Sequence, residues 1–85
     1  AVEGRYRAGE RHGPWTWWYE GGAVEEEISF AMGRRQGRFV QWWKNGKKRT
    51  EGTFCHDLQC GPWVTWNEDG QELGRIQYEE IRGAP

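Results

Sequence analysis

His12–Gly22 reads HGPWTWWYEGG: three tryptophans and a tyrosine fall within five positions, and glycines stand on either side of them. Rings of this kind favour extended strands, and Gly-Gly favours the positive φ of a tight hairpin turn. The stretch therefore reads as a strand running into a hairpin.

The same text returns downstream at a fixed interval. Tyr6, Phe30, Phe54 and Tyr78 recur every 24 residues; Trp15, Phe39 and Trp63 keep the same beat, and so do Trp18, Trp42 and Trp66. Two glycine series run in phase with them, Gly13, Gly37 and Gly61, then Gly22, Gly46 and Gly70. A fixed period of this length marks a repeat architecture in which each copy is one supersecondary unit. The units fall at about residues 4–27, 28–51 and 52–75, with a partial copy at 76–85. The closing IRGAP stops part-way through a unit and so fits a longer array.

Each unit holds one clear turn signal, YEGGA, KNGKK or EDGQE, which predicts a two-residue turn at Gly21-Gly22, Asn45-Gly46 and Asp69-Gly70. Strands are expected over 2–7, 14–19, 23–31, 38–43, 47–55, 62–67 and 71–79, joined alternately by these turns and by longer loops such as RAGERHG. The fold class is all-β: an antiparallel β-hairpin repeat, a meander or solenoid of period 24, drawn out as an elongated single sheet. A turn at 21 and 22 sets Trp18 opposite Glu25 and Trp15 opposite Ile28. If Cys55 and Cys60 face each other, Phe54 lies opposite Gly61 and Gly52 opposite Trp63.

Alternation then sorts the residues by side. One face collects Trp15, Trp17, Tyr19, Ile28, Phe30, Phe39, Trp43, Phe54, Trp63, Ile76 and Tyr78, with rings laid against glycines: Tyr6 by Gly13, Phe30 by Gly37, Phe54 by Gly61. A ring over a bare glycine shields backbone that would otherwise weaken the strand. The other face is mostly polar, carrying Thr16, Glu25, Glu27, Ser29, Arg49, Glu51, Thr53, Arg75 and Gln77 beside Val40, Val64 and Leu73. Trp18, Trp42 and Trp66 nonetheless point that way, two strands or ~10 Å apart.

Composition supports a folded domain built on rings. Leu, Ile, Val and Phe number only 12 of 85 residues, while the 7 Trp, 3 Tyr and 3 Phe supply the large apolar surface. The formal charge of −1 lacks the basic excess expected of a nucleic-acid binder, so no nucleic-acid partner is expected. No apolar run approaches the ~18 residues of a membrane-crossing helix.

The unit Phe/Tyr-x2-Gly-x3-Gly-x-Trp-x2-Trp-x3-Gly resembles the bacterial variant of the MORN (membrane occupation and recognition nexus) repeat over nearly the whole chain. The resemblance implies a non-enzymatic interaction or scaffolding module built as an elongated hairpin meander. In bacteria such chains are often labelled antitoxin-like, and lipid binding has been proposed for some members. Asp57 departs from the glycine found at Gly9 and Gly33, and Asn67 from the ring found at Tyr19 and Trp43. Choline-binding cell-wall repeats, also rich in Gly, Trp and Tyr, look similar at a shorter period.

Candidate sites follow from these placements. Trp18, Trp42 and Trp66 either stack on a sugar, proline or quaternary ammonium group or only cover the sheet's second face, with Arg49 lying across Trp42. Trp17, Tyr19 and Trp43 are further candidate binding residues. Cys55 and Cys60 bracket His56 and are read as a disulfide, which would favour an extracytoplasmic or secreted setting, as a reduced pair, or as part of a metal site that would need His12 from two units away. Arg34, Arg35, Arg38, Lys44, Lys47, Lys48 and Arg49 could meet anionic lipid headgroups, although the nearby Glu25, Glu26, Glu27 and Glu51 favour a charge-mixed solvated surface. Ser29 is the lone serine, inside a strand, and no phosphate-binding loop appears. No catalytic residue, cofactor, metal or small-molecule substrate is expected. The expected partner is a protein or a second copy, meeting the aromatic face or pairing with open strand edges.

Overall fold

Two kinds of turn, alternating along the chain, generate the whole topology. In the computed structural model, which describes residues 1–78, seven strands follow one another: β1 Val2–Arg7, β2 Glu10–Trp18, β3 Val24–Ala31, β4 Arg34–Trp42, β5 Lys48–Cys55, β6 Leu58–Trp66 and β7 Glu72–Tyr78. They form one antiparallel sheet in the order β1-β2-β3-β4-β5-β6-β7. The molecule is a slab, 41 × 30 × 9 Å, only one sheet thick. The expected class is what is observed; residues 79 to 85, including the end of the seventh expected strand and the IRGAP stretch, lie outside the described residues.

The assignment of tight and long connections is corrected. The expected long loops are the tightest turns in the structure, with only Ala8-Gly9, Met32-Gly33 and His56-Asp57 between the strands. All six of these residues have positive φ, from 50° to 81°. Positive φ at both central residues is the twist-compatible hairpin geometry, so β2, β4 and β6 each begin four residues earlier than expected. The extra length is absorbed within the strands. Between Glu3↔Thr16 and Arg5↔His12 a single residue of β1 faces three of β2, and Gly13, at φ 77°, lies among those three. Gly37 and Gly61 repeat the device with φ 101° and 68°.

The turns marked by Asn-Gly and Asp-Gly are in turn longer than expected. Tyr19 N–H donates to Ala23 O and Gly22 N–H to Tyr19 O, so three residues, 20 to 22, make the turn. Trp43/Lys47/Gly46 and Asn67/Gln71/Gly70 repeat this pattern. Positive φ falls on the closing glycine of each, and Asn45 and Asp69 are not left-handed. Asn45 Oδ1 accepts the Lys47 N–H at 2.9 Å instead. A one-residue shift follows each turn, pairing Trp18 with Val24, Trp42 with Lys48 and Trp66 with Glu72. The expected Trp18–Glu25 pairing is thereby replaced, whereas Trp15↔Ile28, farther from the turn, stands as expected.

The core lies on one face and consists of Trp15, Ile28, Phe30, Phe39, Phe54 and Trp63, with Trp17 and Tyr78 partly buried against it. Phe54 meets Trp63 edge-on at 5.1 Å and Phe39 edge-on at 5.5 Å, while Phe39 stacks on Trp63 at 5.3 Å. Ile76, expected in this core, is instead 56% exposed on β7, the last described strand.

Inside the core the repeat alternates between two solutions. A Cβ added to Gly52 would overlap the Trp63 indole, and one added to Gly4 would overlap Trp15. One unit away from each, the equivalent positions hold Ile28 and Phe39. Glycine under the larger ring and isoleucine under the smaller one fill similar volume, as close packing requires. The indoles also use their polar edge: Trp15 Nε1 donates to Arg5 O at 3.1 Å, and Trp63 Nε1 to Thr53 O at 3.1 Å.

Rings meet glycines across only one of their two neighbours. Phe30 opposes Gly13 and Phe54 opposes Gly37, as does Tyr78 with Gly61. The expected pairings of Tyr6 with Gly13, Phe30 with Gly37 and Phe54 with Gly61 are displaced by the tight turns, which set Arg11, Arg35 and Gln59 there. The two arginines lie over neighbouring rings, Arg11 at 4.9 Å from Trp15 and Arg35 at 4.4 Å from Phe54, a favourable cation–π placement.

Asp57 explains its own departure from glycine. Aspartate tolerates a left-handed φ better than most residues, here 72°, and its carboxylate accepts from Arg35 Nε at 2.6 Å and from the Arg35 backbone N–H at 3.3 Å. The Asp57 N–H returns a bond to Arg35 O, as Gly33 does to Arg11 O one unit earlier. A charged clasp between units thus replaces a bare glycine. In the same turn Cys55 and Cys60 are joined, with Cα atoms 5.8 Å apart. They are diagonal neighbours, because Cys55 pairs with Leu58 and Cys60 with Thr53, which corrects the expectation of direct opposition.

Four outcomes are expected. Gly52→Ile should destabilise the domain by about 1–3 kcal/mol in urea unfolding through overpacking. Adding Trp63→Phe should recover part of that loss, a coupling of about 1 kcal/mol or more; strictly additive losses would show that the Ile28–Phe39 solution does not transfer. Hydrogen bonding from the Arg35 side chain, then from its backbone N–H, holds the Asp57 carboxyl below the usual aspartate range. The clasp therefore stabilises the fold at neutral pH and is lost as pH falls through the lowered value, and an NMR titration should show the Asp57 midpoint rising on Arg35→Gln. Denatured, unreduced protein should release no thiol to a thiol-specific reagent and two after reduction.

Candidate interaction surfaces

The two faces use the same residue types for different ends. Tyr19 and Trp43, at the mouths of the three-residue turns, serve the fold: Tyr19 Oη donates to Trp42 O at 2.7 Å and Trp43 Nε1 to Trp66 O at 3.1 Å. Each ties one hairpin to the next by the same bond, displaced by one unit. Lys44 lies 5.7 Å from the Tyr19 ring and Arg49 4.6 Å from that of Trp43. Arg49 was expected across Trp42; the one-residue shift after the turn carries it to Trp43. Trp17 packs on the edge of the core, 6.0 Å from Trp15. Thus Trp17, Tyr19 and Trp43 are gathered on the core side, apart from Trp18, Trp42 and Trp66.

Trp18, Trp42 and Trp66 are half-buried on the opposite side, on alternate strands β2, β4 and β6. Among the described residues, the indole N–H groups of Trp15, Trp43 and Trp63 reach backbone carbonyls, and no acceptor is found for those of Trp18, Trp42 and Trp66. Two open hollows lie beside this row. One is lined by Pro14, Glu27, Ser29, Arg38, Val40 and Trp42, the other by Arg38, Glu51, Thr53, Pro62, Val64 and Trp66. These are the same positions displaced by 24 residues. The face is therefore corrugated: bulky residues of β2, β4 and β6 form ridges, and the short or acidic residues of β3 and β5 floor the valleys.

Across this face one row of directly opposed residues crosses all seven strands: Glu3, Thr16, Glu27, Val40, Glu51, Val64 and Arg75. Val40 and Val64 are buried, although the sheet has a single layer. Glu51 is held by Arg38 Nη2 at 2.6 Å and Lys48 Nζ at 3.2 Å. Arg38 above all, then Lys48, keeps its carboxyl below the usual glutamate range against a burial effect that would raise it. Glu3 and Glu27 form no ion pair among the described residues. The ridge prolines and valley floors escaped the reading of single motifs, yet the 24-residue beat applied to positions 14, 27, 29 and 38 would have found them.

The basic cluster of the second unit is dispersed by the fold. Arg35 clasps Asp57, Arg38 and Lys48 meet Glu51, and Lys47 Nζ donates to Asp69 O at 3.2 Å. Glu26, expected among the partners of these cations, accepts from Gln41 Nε2 instead. His12 pairs across β1 with Arg5, and His56 heads the third two-residue turn. The topology keeps them in separate hairpins, and among the described residues no three His, Cys, Asp or Glu side chains gather as a metal site.

The sequence signature of the MORN repeat variant matches residues 11–31 and 35–56. These segments coincide with the β2–β3 and β4–β5 hairpins, each centred on a three-residue turn. No curated protein and no solved structure matches the chain. The matched copies cover half of the sequence and agree with the seven-strand meander; the chain belongs to the MORN repeat variant family, whose repeats are in general non-enzymatic binding or scaffolding modules.

Proposed function

We propose that this chain is a scaffolding module that assembles edge to edge, adding a strand from a second copy or from another protein to its sheet. The observation that supports this reading is the open meander. Among the described residues β1 and β7 each have a neighbour on one side alone, so each presents a row of backbone donors and acceptors on the other. Such edges template strand addition. Both ends also leave apolar side chains uncovered, with Val2 51% and Ile76 56% exposed. Since β1 and β7 occupy the same position in the 24-residue unit, either end can accept the same kind of strand.

Light scattering over a concentration series should give a mass rising above the 10.0 kDa monomer. The double variant Val2→Lys, Ile76→Lys should return it towards the monomer, because charges on edge strands oppose pairing. A strictly monomeric wild-type chain that captures no strand-forming partner would contradict the proposal.

A further inference from the structure

The corrugated face carries a measurable repeat of its own. Equivalent hollows lie two strands apart, about 9.6 Å at ordinary strand spacing. A polyproline II helix advances about 3.1 Å per residue with three residues per turn, so it repeats every ~9.3 Å. A peptide in that conformation, crossing the strands, would set every third residue over successive valleys and meet a tryptophan ridge between them. Its backbone has no internal hydrogen bonds, so its carbonyls are free to accept from the indole N–H groups of Trp18, Trp42 and Trp66.

Charge selects among such peptides. On the opposed row the carboxylate of Glu51 is ion-paired with Arg38 and Lys48, while Glu3 on β1 and Glu27 on β3 form no ion pair among the described residues. The first hollow therefore offers a cation the Glu27 carboxylate, beside Arg38, whose guanidinium is held by Glu51. We propose that this face binds a proline-rich segment bearing basic residues, held as a polyproline II helix perpendicular to the strands. The inference deepens the scaffolding reading by naming a partner chemistry, and it uses a face distinct from the edges.

Anisotropy of a fluorescently labelled peptide of about four Pro-Pro-Lys repeats, enough for about four polyproline turns, tests it. Saturable binding that weakens with added salt is expected. Trp42→Ala should weaken it at least about tenfold, as removal of a central aromatic anchor does. Trp42→Phe, which retains a ring and loses the N–H, should also weaken binding and serves if the alanine variant does not fold. Glu27→Gln should weaken the Pro-Pro-Lys peptide and leave an all-proline peptide unchanged. No binding to the wild-type chain, equal binding of an Ala-Ala-Lys peptide, or indifference to both Trp42→Phe and Glu27→Gln would overturn the proposal. A response to choline or oligosaccharide in place of the peptide would overturn it too. A chain that self-associates yet ignores the peptide would refute this inference alone, and a monomer that binds the peptide would refute only the edge reading.

Discussion

The indole of Trp63 laid on Gly52, with its N–H on the Thr53 carbonyl, is the contact on which the rest of this slab depends. A single sheet has no second layer to bury its face, so its core must be made within the sheet by rings that lie down across neighbouring strands. A small residue must stand beneath each large ring, and the backbone it uncovers must be shielded and hydrogen-bonded by the same ring. Trp15 over Gly4 repeats this arrangement, and Phe39 beside Ile28 shows the alternative when the ring is smaller. Aromatic content and glycine content are thus two sides of one packing requirement, which accounts for a chain with 13 glycines and few aliphatic residues.

Units join by a small set of bonds repeated at a displacement of one copy. Tyr19 and Trp43 reach the next hairpin's carbonyls at one end of the strands, and Gly33 and Asp57 reach back to Arg11 and Arg35 at the other. With both ends of each hairpin tied, the stack behaves as a quasi-one-dimensional solid in which each unit leans on its neighbours. The same regularity is what makes the outer face functional in our reading. A surface whose ridges and valleys recur at a fixed pitch suits a ligand with a pitch of its own, and an edge that repeats suits another strand.

Resemblance and structure meet at the level of family. The MORN repeat variant explains the hairpin period and the general role of binding or scaffolding. In our reading its partner is selected by the side chains of the outer face, where Glu3 and Glu27 form no ion pair and three indole N–H groups have no acceptor among the described residues. Of the second unit's cations, Arg35 clasps Asp57, and Arg38 and Lys48 share Glu51, so that Glu3 and Glu27 are the unpaired carboxylates of the outer row among the described residues.

The order of the strands, the side on which Trp15, Phe39 and Trp63 lie, and the separation of Trp18, Trp42 and Trp66 onto the other side were all legible in the sequence. Each follows from a period of 24 combined with the period of 2 that any strand obeys, and both survive small errors of register that shift by two. The turns were not legible to the same degree. Met32-Gly33 and His56-Asp57 lack the usual turn signature, yet like Ala8-Gly9 they adopt the left-handed backbone that a two-residue hairpin between twisted strands requires, and bonds such as Asp57 N–H to Arg35 O then tie them to the neighbouring unit. The one-residue shifts that move Arg49 from Trp42 to Trp43 come from the three-residue turns inside each hairpin, and the valleys between Pro14 and Trp42 from contacts between copies. Local propensity decides that a chain turns; only the pairing and packing of the strands decide how many residues the turn contains and what lies opposite.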